Sequence, residues 1–335
     1  MKDIELPRRV IVGDGIIQRI EDIVTELKLE GNPLVLSGSN TKNIAGKRVS
    51  KNLNSELYII KDSSWSEVEK ILTKIKQDDI AYILGVGGGS IIDVGKVSAY
   101  KSGIPFISVP TAASHDGIAS PQASLKGGEV TSVRVHSPLC VVVDTEVIRE
   151  APYRLNASGC ADVISNYTAV LDWKLANRER GEYYGEYSAT LAMMSAEIIM
   201  HNAERIRENI NILVEALISS GVAIGIAGSS RPCSGSEHQF SHALDRICPR
   251  PALHGEQCGI GCIMMAYLHK AEWKKVRDSL KKIGAPTTAR ELGIEDRYVI
   301  EALTNAHKIR DRYTILRDGL SDKQAIKLAK VTGVI

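Results

Sequence analysis

The sequence predicts two domains: an α/β domain built on a parallel β-sheet over residues 1–152, and an all-helical domain over residues 153–335. Three observations predict this arrangement. Short β-branched runs alternate with amphipathic helical patterns in the first half, which is typical of a parallel sheet covered by helices. Strand-like alternation nearly disappears after Pro152, where helical periodicity takes over. The length of 335 residues accommodates two domains.

Each predicted element follows from its local pattern. The six strands are Val10–Val12, Leu34–Ser37, Leu57–Ile60, Tyr82–Leu84, Phe106–Val109 and Val141–Val143. Helices between them are predicted at Ile16–Leu27, Trp65–Lys76 and Ile91–Lys101, and a hairpin at Ala123–Val135 has Lys-Gly-Gly at its tip. The second half is predicted to form helices at Leu155–Asn177, Tyr187–Asn202, Asn209–Ala227, Glu237–Arg246, Gly255–Leu268, Trp273–Ile283 and Asp296–Ala306.

Composition excludes several classes of function. The chain has 42 Lys and Arg against 40 Asp and Glu, so it lacks the basic field that nucleic acid or an anionic membrane requires. No apolar run approaches the length of a membrane span, and the charged N-terminus does not resemble a signal peptide. The 6 cysteines are scattered without CxxC pairs, which fits a reducing compartment. We therefore expect a cytoplasmic enzyme.

A glycine-rich loop between a predicted strand and a predicted helix is the first candidate site. Glycines let a diphosphate approach the backbone, and the N-terminus of the helix offers free N–H groups. A tight turn without a ligand is the alternative. The first strand-to-helix turn, Gly13-Asp14-Gly15, lacks the third glycine of the Rossmann fingerprint. The predicted cofactor-binding residues of the loop are Gly87, Gly88, Gly89, Ser90, Ile91 and Asp93.

Small hydroxylated residues follow the next strand. Thr111, Ser114 and Ser120 lie where ligands bind in open α/β sheets, at the carboxyl end of a parallel strand. Capping and turn formation is the alternative explanation, since these residue types favour both. No acidic residue follows the second strand to hold a ribose 2′-hydroxyl, and Lys42 is available for a 2′-phosphate. This favours NADP, or tolerance of both NADP and NAD.

Histidines and one aspartate suggest a metal site in the helical half. His238 and His242 are four residues apart on a predicted helix, so that both imidazoles share one face. His254 precedes the next helix, and Asp162 lies near the start of an earlier one. Two or three histidines with a carboxylate are typical of a catalytic Zn²⁺ site. Ordinary surface or core histidines are the alternative. Cys258 and Cys262 are set aside, because such spacing is more often core packing.

Four segments together resemble one family of metal-dependent dehydrogenases, which includes glycerol dehydrogenase and dehydroquinate synthase. Within it, the chain is most similar to the archaeal sn-glycerol-1-phosphate dehydrogenases. The resemblance spans about residues 5–310 and implies a Rossmann-like first domain, a helical second domain and a cleft between them. The four segments are Gly87-Gly-Gly-Ser-Ile-Ile-Asp93-Val-Gly-Lys96, Pro110-Thr-Ala-Ala-Ser-His-Asp116-Gly, Ser234-Gly-Ser-Glu-His238 and Leu253-His-Gly-Glu256.

The resemblance also assigns roles to individual residues. It implies one Zn²⁺ per subunit on Asp162, His238 and His254, and it implies that His242 faces the substrate instead of the metal. Asp116 and Asp162 match substrate-contacting positions, so the expected catalytic and substrate-binding residues are His242, Asp116 and Asp162. The expected cofactor positions in the second loop are Thr111, Ala112, Ala113, Ser114 and Ser120.

The implied reaction is the NAD(P)H-dependent reduction of dihydroxyacetone phosphate to sn-glycerol 1-phosphate, which supplies phospholipid synthesis for archaeal ether-lipid membranes. The Zn²⁺ would polarise the ketone, and His242 or a metal-bound water, supported by Asp116, would handle the proton. A homo-oligomer is expected. The substrate phosphate needs a cationic or N–H partner, and the choice among the available arginines stays open: Arg154, Arg231, Arg246 and Arg250.

Three other functions are weighed against this one. A glycerol dehydrogenase would act on an unphosphorylated polyol. A dehydroquinate-synthase-like lyase would handle a larger polyanion and need several cations around the metal, whereas the segment from Ser158 to Ala176 contains only Lys174. A non-catalytic nucleotide-binding or metal-storage module would leave the convergence of Asp162, His238 and His254 without a purpose.

Overall fold

The computed structural model describes residues 4–125 and 131–335. It divides into two compact units, Met1–Ala113 with Gly117–Tyr153, and Ser114–Asp116 with Arg154–Ile335. The predicted domain boundary after residue 152 differs from this division by one residue, and the short segment Ser114–Asp116 groups with the helical unit. The assignment of a nucleotide role to one unit and a metal role to the other stays a prediction.

The first unit contains a six-stranded parallel sheet in the order β1-β8-β5-β4-β2-β3. Each of the six predicted strands is confirmed, with one to five extra residues at its ends. β-branched and leucine side chains are buried along the centre of the sheet, as at Leu34, Ile83 and Val142. The strands are β1 Arg9–Gly13, β2 Asn32–Gly38, β3 Glu56–Ile60, β4 Ile80–Gly87, β5 Phe106–Pro110 and β8 Cys140–Asp144.

A two-stranded antiparallel hairpin completes the strands of this unit, with β6 at Gln122–Leu125 and β7 at Thr131–Arg134. The predicted hairpin is confirmed in its strands, while its Lys-Gly-Gly tip lies outside the described residues. Lys96 contacts the chain where the hairpin begins. Its Nζ donates to the carbonyl oxygens of Gly117, at 2.7 Å, and of Gln122. The hairpin is thereby joined to the sheet unit.

The helices of the first unit include the three that the sequence predicts. Ile16–Leu27 forms a 3₁₀ turn that continues into α1. Two helices were missed because they are only six residues long, too short for periodicity to reveal. A π-helical turn at Lys42–Gly46 precedes the first of them. The helices are α1 Ile20–Glu26, α2 Lys47–Asn52, α3 Trp65–Gln77, α4 Gly89–Ser102 and α5 Thr145–Glu150.

The second unit is helical in the part of the chain that the structure describes. All seven predicted helices are confirmed. Two further helices were not predicted. One is a single turn after Thr288, and the other is a C-terminal helix whose capping box pairs Ser321 with Gln324. The helices are α6 Tyr153–Arg180, α7 Glu186–His201, α8 Asn211–Ala227, α9 Ser236–Ile247, α10 His254–Leu268, α11 Trp273–Ile283, α12 Ala289–Leu292, α13 Asp296–Asn305 and α14 Asp322–Val331.

The 28-residue α6 is the longest helix of the described structure, and it is buried along most of its length. It is not apolar: its buried residues include Asp162, Asn166 and Asp172. Buried polar side chains require partners, and these come from α8, from α9, from the residue after α10 and from the segment before α14. Across residues 4–125 and 131–335, every helix is too short or too polar to cross a bilayer.

Candidate metal and cofactor sites

Three helices bring the predicted metal ligands together. Asp162 is on α6, and His254 is the first residue of α10. His238 and His242 are one turn apart on α9. Ligand atoms of Asp162, His238, His254 and Cys258 all lie within 4.8 Å of one another. The three residues that the family resemblance implies as ligands therefore form one group in the described structure.

Hydrogen bonds orient both imidazoles toward the aspartate. Nδ1 of His238 lies 2.9 Å from Oε1 of Glu237, and Nδ1 of His254 lies 3.1 Å from Oγ of Ser241. Nε2 of each ring is left 3.8 Å from Oδ1 of Asp162. A histidine that binds a metal commonly uses its other ring nitrogen in this way, because the second bond fixes the tautomer and the ring orientation.

The aspartate carries an oxygen that needs a partner. Oδ2 of Asp162 accepts a hydrogen bond from the backbone N–H of Asp116 at 3.1 Å, but the buried Oδ1 has no hydrogen bond within the described residues. Burial is costly for an unpaired carboxylate oxygen. Two imidazole nitrogens and one carboxylate oxygen are a donor set that suits Zn²⁺ and other transition metals. The residues fit a metal ion at this point.

Burial sets the protonation of the group in the metal-free protein. Burial, together with neighbouring His242, holds the pKa of His238 well below its usual value, and burial and His238 do the same for His254. Burial and the charge of Asp116 raise the pKa of Asp162 well above its usual range. The imidazoles are therefore neutral near pH 7, which is the form that binds metals.

His242 lies beside this group and faces a different carboxylate. Its Nδ1 is 3.8 Å from Oδ2 of Asp245, and its ring stacks on that of His254 with centroids 5.5 Å apart. Ligand atoms of these three residues form a second group within 4.8 Å. The chain spacing made His238 and His242 equivalent, whereas the structure separates them: only His238 has a nitrogen directed at Asp162.

The glycine-rich loop joins β4 to α4 in the first unit. Gly88 precedes the helix, and Gly89 is its first residue. A Cβ atom at Gly87 would lie 2.6 Å from the side chain of Ile91, so that glycine serves packing. A Cβ atom at Gly88 would have no heavy atom within 4 Å, and its φ of −79° suits any residue. Packing therefore does not explain the glycine at 88, whereas an approaching ligand would.

The second predicted cofactor segment lies next to this loop. β4 and β5 are adjacent and parallel, with Gly87 opposite Pro110, and the N–H of Thr111 donates to the carbonyl of Gly87 at 3.1 Å. The competing turn at Gly13-Asp14-Gly15 is occupied internally, because the carboxylate of Asp144 accepts from the N–H groups of Gly15 and Ile17. These two backbone donors are thus unavailable to a phosphate.

Comparison with known proteins adds to this geometry. Residues 11–152 match the model of the iron-containing alcohol dehydrogenase family. The chain is 53% identical over 345 residues to glycerol-1-phosphate dehydrogenase [NAD(P)+] of Methanosarcina acetivorans, covering 100% of this chain and 97% of the relative. It is 54% identical over 342 residues to the protein of the same name in Pyrococcus horikoshii, covering 99% of each. The chain belongs to the glycerol-1-phosphate dehydrogenase family. The predicted enzyme class, a dehydrogenase, is confirmed.

A solved structure supports the fold of this family member. A probable glycerol dehydrogenase from Sinorhizobium meliloti 1021 superposes with a TM-score of 0.84 at 19% sequence identity and covers 100% of both chains. At this identity the likeness concerns the fold alone. Together with the parallel sheet and the helical second unit described above, it confirms the predicted fold class.

Two predicted cofactor residues of this dehydrogenase are buried and serve the structure of the loop. Oδ2 of Asp93 accepts from the N–H of Ser124 at 3.1 Å, and Oδ1 lies 3.3 Å from Nζ of Lys96. Ser120 is fully buried, and its carbonyl lies 3.3 Å from the same Nζ. These positions connect α4 to the segment that follows Thr111. Their assignment to the cofactor stays a prediction.

A close helix approach positions His254. A Cβ atom at Gly255 would lie 2.0 Å from the carbonyl oxygen of Ser158, so only glycine lets α10 begin against α6. Next to it, the carboxylate of Glu256 accepts from the backbone N–H of Leu253 and forms a bidentate pair with Arg154. These contacts hold the start of α10, and thereby His254, over Asp162.

Two of the four arginines considered for the substrate phosphate already have carboxylate partners. Arg154 pairs with Glu256, and the guanidinium of Arg231 pairs with both carboxylate oxygens of Glu182. Arg246 and Arg250 are exposed. The sequence analysis missed Glu237 and Asp245 and set Cys258 aside, and the structure adds all three to the surroundings of the metal group. The i,i+4 spacing of Cys258 from His254 was the available signal, and it is indistinguishable from core packing.

Proposed function

We propose that the chain catalyses the NAD(P)H-dependent reduction of dihydroxyacetone phosphate to sn-glycerol 1-phosphate, with one Zn²⁺ per subunit. The observation that carries the proposal is the convergence of two imidazole Nε2 atoms on the unpaired Oδ1 of Asp162. The substrate and cofactor rest on the relatives at 53–54% identity, whose name gives both glycerol 1-phosphate and NAD(P)+.

The proposed metal ligands are Asp162, His238 and His254. When bound there, Zn²⁺ would supply Lewis acidity toward a carbonyl oxygen. The chain supports these ligands with Glu237 at Nδ1 of His238 and Ser241 at Nδ1 of His254. Asp116, whose N–H donates to Asp162, fits the role of a substrate-contacting residue that also fixes this carboxylate.

His242 is the proposed acid–base residue. Burial lowers its pKa, while the neighbouring carboxylate of Asp245 acts in the opposite direction. A neutral imidazole accepts the proton of the substrate hydroxyl in the oxidation direction, and the resulting imidazolium is stabilised by Asp245. In the reduction direction the imidazolium returns that proton to the oxygen. Asp116 and Asp162 complete the proposed catalytic and substrate-binding set.

The proposed cofactor site is the loop between β4 and α4 with the segment after β5. The first turn of α4 offers backbone N–H groups and the positive end of the helix dipole to a diphosphate. The proposed contacts use Thr111 and its neighbours through Ser114 for the rest of the nucleotide. Lys42, at the π-helical turn after β2, is the candidate partner of a 2′-phosphate, which supports acceptance of NADP as well as NAD.

The wider role follows from the product. A stereodefined glycerol phosphate is the backbone on which ether-linked membrane phospholipids are built, and we assign the chain to that synthesis, in the cytoplasm, as a homo-oligomer. The alternative substrates are an unphosphorylated polyol or a sugar acid. The phosphorylated ketone is favoured by the identity to the named relatives over essentially the full chain.

One spectrophotometric assay tests the proposal. Purified protein receives NADPH or NADH with dihydroxyacetone phosphate, with dihydroxyacetone, or with neither. We expect loss of absorbance at the nicotinamide band with the phosphorylated ketone and much less with dihydroxyacetone. Equal or greater turnover of dihydroxyacetone would replace the proposal by a glycerol dehydrogenase, and no turnover of either would remove it.

A further inference from the structure

The segment Arg310–Ile315, between α13 and α14, is fixed to the helix that carries His238. Gln239 is buried next to His238, and its Nε2 lies 3.4 Å from the carbonyl oxygens of both Arg310 and Arg312. Its Oε1 accepts from Oγ1 of Thr314 at 2.9 Å. All polar atoms of this amide side chain are thus directed at the segment, which places the segment's backbone against α9.

Two further anchors hold the same segment. Asp172, fully buried on α6, accepts the N–H of Ile315 on Oδ1 at 2.7 Å and the N–H of Ser236 on Oδ2 at 2.7 Å. Arg231 donates to the carbonyl of Tyr313 at 2.9 Å. The segment and the first turn of α9 therefore share one buried carboxylate. The backbone positions of Arg310 and Arg312 are thereby fixed relative to α9.

The guanidinium of Arg310 is a cation near the metal group that no carboxylate binds within the described structure. Its guanidinium has no hydrogen bond or ion pair with any residue from the described ranges, although it is only partly exposed. Its carbonyl oxygen lies 3.4 Å from Nε2 of Gln239, the residue that follows His238 on α9, so the side chain of Arg310 begins close to the metal group. Burial lowers the pKa of Arg310 itself.

A second guanidinium adds to this charge. Arg312 donates to the carbonyl of Ser234 and to Oγ of Ser230, the latter at 2.8 Å, and has no carboxylate partner in the described structure. Burial and the charge of Arg310 lower its pKa to about 9. Asp311 between them is exposed and forms no ion pair that the described residues show. The nearby carboxylate of Glu237 is committed to other partners: it accepts from the N–H of Gly235 and from Oγ1 of Thr168, and it faces Nδ1 of His238.

A half-buried guanidinium without an anion is costly, because removing the ion from water is not repaid by a charge partner. Its planar set of N–H donors matches the oxygens of a phosphate, which it can bind through two parallel hydrogen bonds. A phosphate monoester carries up to two negative charges near pH 7, which also suits the second cation at Arg312. Neither of the paired arginines considered from the sequence, Arg154 and Arg231, offers this.

We propose that Arg310 binds the phosphate group of the substrate, with Arg312 as the neighbouring positioning cation, and that this pair selects a phosphorylated ketone over its unphosphorylated analogue. This inference rests on the proposed function for the identity of the substrate, but not for the anion site itself. Arg310 is a binding residue, and Arg312 acts by holding Ser230 and Ser234 and by adding charge.

The test compares Arg310→Met and Arg310→Lys with Arg317→Met, a matched control two residues beyond this segment whose guanidinium is exposed and pairs with Glu179. For Arg310→Met, we expect the ratio of kcat/KM for dihydroxyacetone phosphate over dihydroxyacetone to fall by about 10- to 150-fold, since a hydrogen bond to a charged group contributes that much. Arg310→Lys retains part of the ratio. Arg317→Met retains all of it, and a thermal melt shows that each variant folds.

A binding measurement separates this inference from the proposed function. Inorganic phosphate is titrated calorimetrically into the metal-loaded protein with saturating NADP+, so that the glycine loop is already filled. If the wild type binds phosphate and Arg310→Met does not, the anion site is supported. This holds even if dihydroxyacetone phosphate is not turned over, in which case only the proposed function fails. If the wild type turns over that ketone while Arg310→Met keeps the same substrate ratio and phosphate affinity, the anion site is wrong. Absence of phosphate binding in the wild type would also overturn it.

Discussion

Oε1 of Glu237 lies 2.9 Å from Nδ1 of His238, and this contact directs Nε2 of the ring at Asp162. The same carboxylate accepts from the N–H of Gly235 and from Oγ1 of Thr168, so it is fixed by α6 and by the turn before α9. A carboxylate behind a metal-binding imidazole restricts its tautomer and raises its basicity. Glu237 therefore links the helix scaffold to the proposed metal.

The first prediction concerns this carboxylate. Glu237→Gln keeps the size and part of the hydrogen bonding but removes the charge behind His238. We expect the affinity for Zn²⁺ to fall by about 10- to 100-fold, measured by competition with a chromophoric chelator. Glu186, at the exposed start of α7, gives the control Glu186→Gln, which should leave affinity unchanged. Unaltered affinity in Glu237→Gln would show that His238 does not bind the metal through Nε2.

The second prediction separates the two histidines of α9. His238→Ala removes a proposed ligand, so the purified protein should contain far less than one zinc per chain by mass spectrometry and lose activity. His242→Ala removes the proposed acid–base residue, so it should retain zinc while turnover falls by about 100- to 10,000-fold. The opposite pattern, zinc lost in His242→Ala and kept in His238→Ala, would reverse the assignment.

The third prediction concerns the cofactor loop. Gly88→Ala and Gly13→Ala both introduce a methyl group that meets no heavy atom within 4 Å in the described structure, so neither should destabilise the fold. Only Gly88→Ala brings the methyl group to the start of α4, where we expect the KM for NADPH to rise. Steady-state kinetics on both variants decide this. A raised KM in Gly13→Ala alone would move the cofactor to the first turn of the sheet.

The fourth prediction concerns the raised pKa values of the buried cysteine thiols. Each of the 6 cysteines is a free, buried thiol. Burial raises the pKa of Cys140 to about 11 and that of Cys262 to about 12. The thiolate is the reactive form, and an unfolded cysteine has a pKa of about 8.5. Iodoacetamide at pH 8 should therefore label these two rapidly only after denaturation, as followed by mass spectrometry. Rapid labelling of Cys140 in the native protein would contradict its burial.

The strands and most helices could be predicted because each pattern is local. Val141–Val143 is apolar because β8 is buried on both faces, and Trp273–Ile283 shows the periodicity of a helix with one buried face. The six-residue α2 and α5 carry too few residues for such a pattern.

The metal group could be predicted only in part. The spacing of His238 and His242 placed both on one face, and it took the hydrogen bonds at Nδ1 to show which ring turns toward Asp162. Arg310 was not found from the sequence, because it lies 72 residues beyond His238 in the chain. The contact between Gln239 and the backbone of Arg310 brings the two regions together only in the folded protein. A partner that is distant in sequence leaves no periodic signal.

The fifth prediction, metal removal, tests the central claim most directly. The wild-type protein is treated with a strong chelator, freed of it by gel filtration, and assayed for oxidation of NADPH with dihydroxyacetone phosphate before and after addition of equimolar Zn²⁺. We predict that the metal-free protein stays folded by circular dichroism, that its turnover falls to background, and that zinc restores it. Turnover that survives when elemental analysis shows no metal would contradict a metal-dependent reduction at Asp162, His238 and His254.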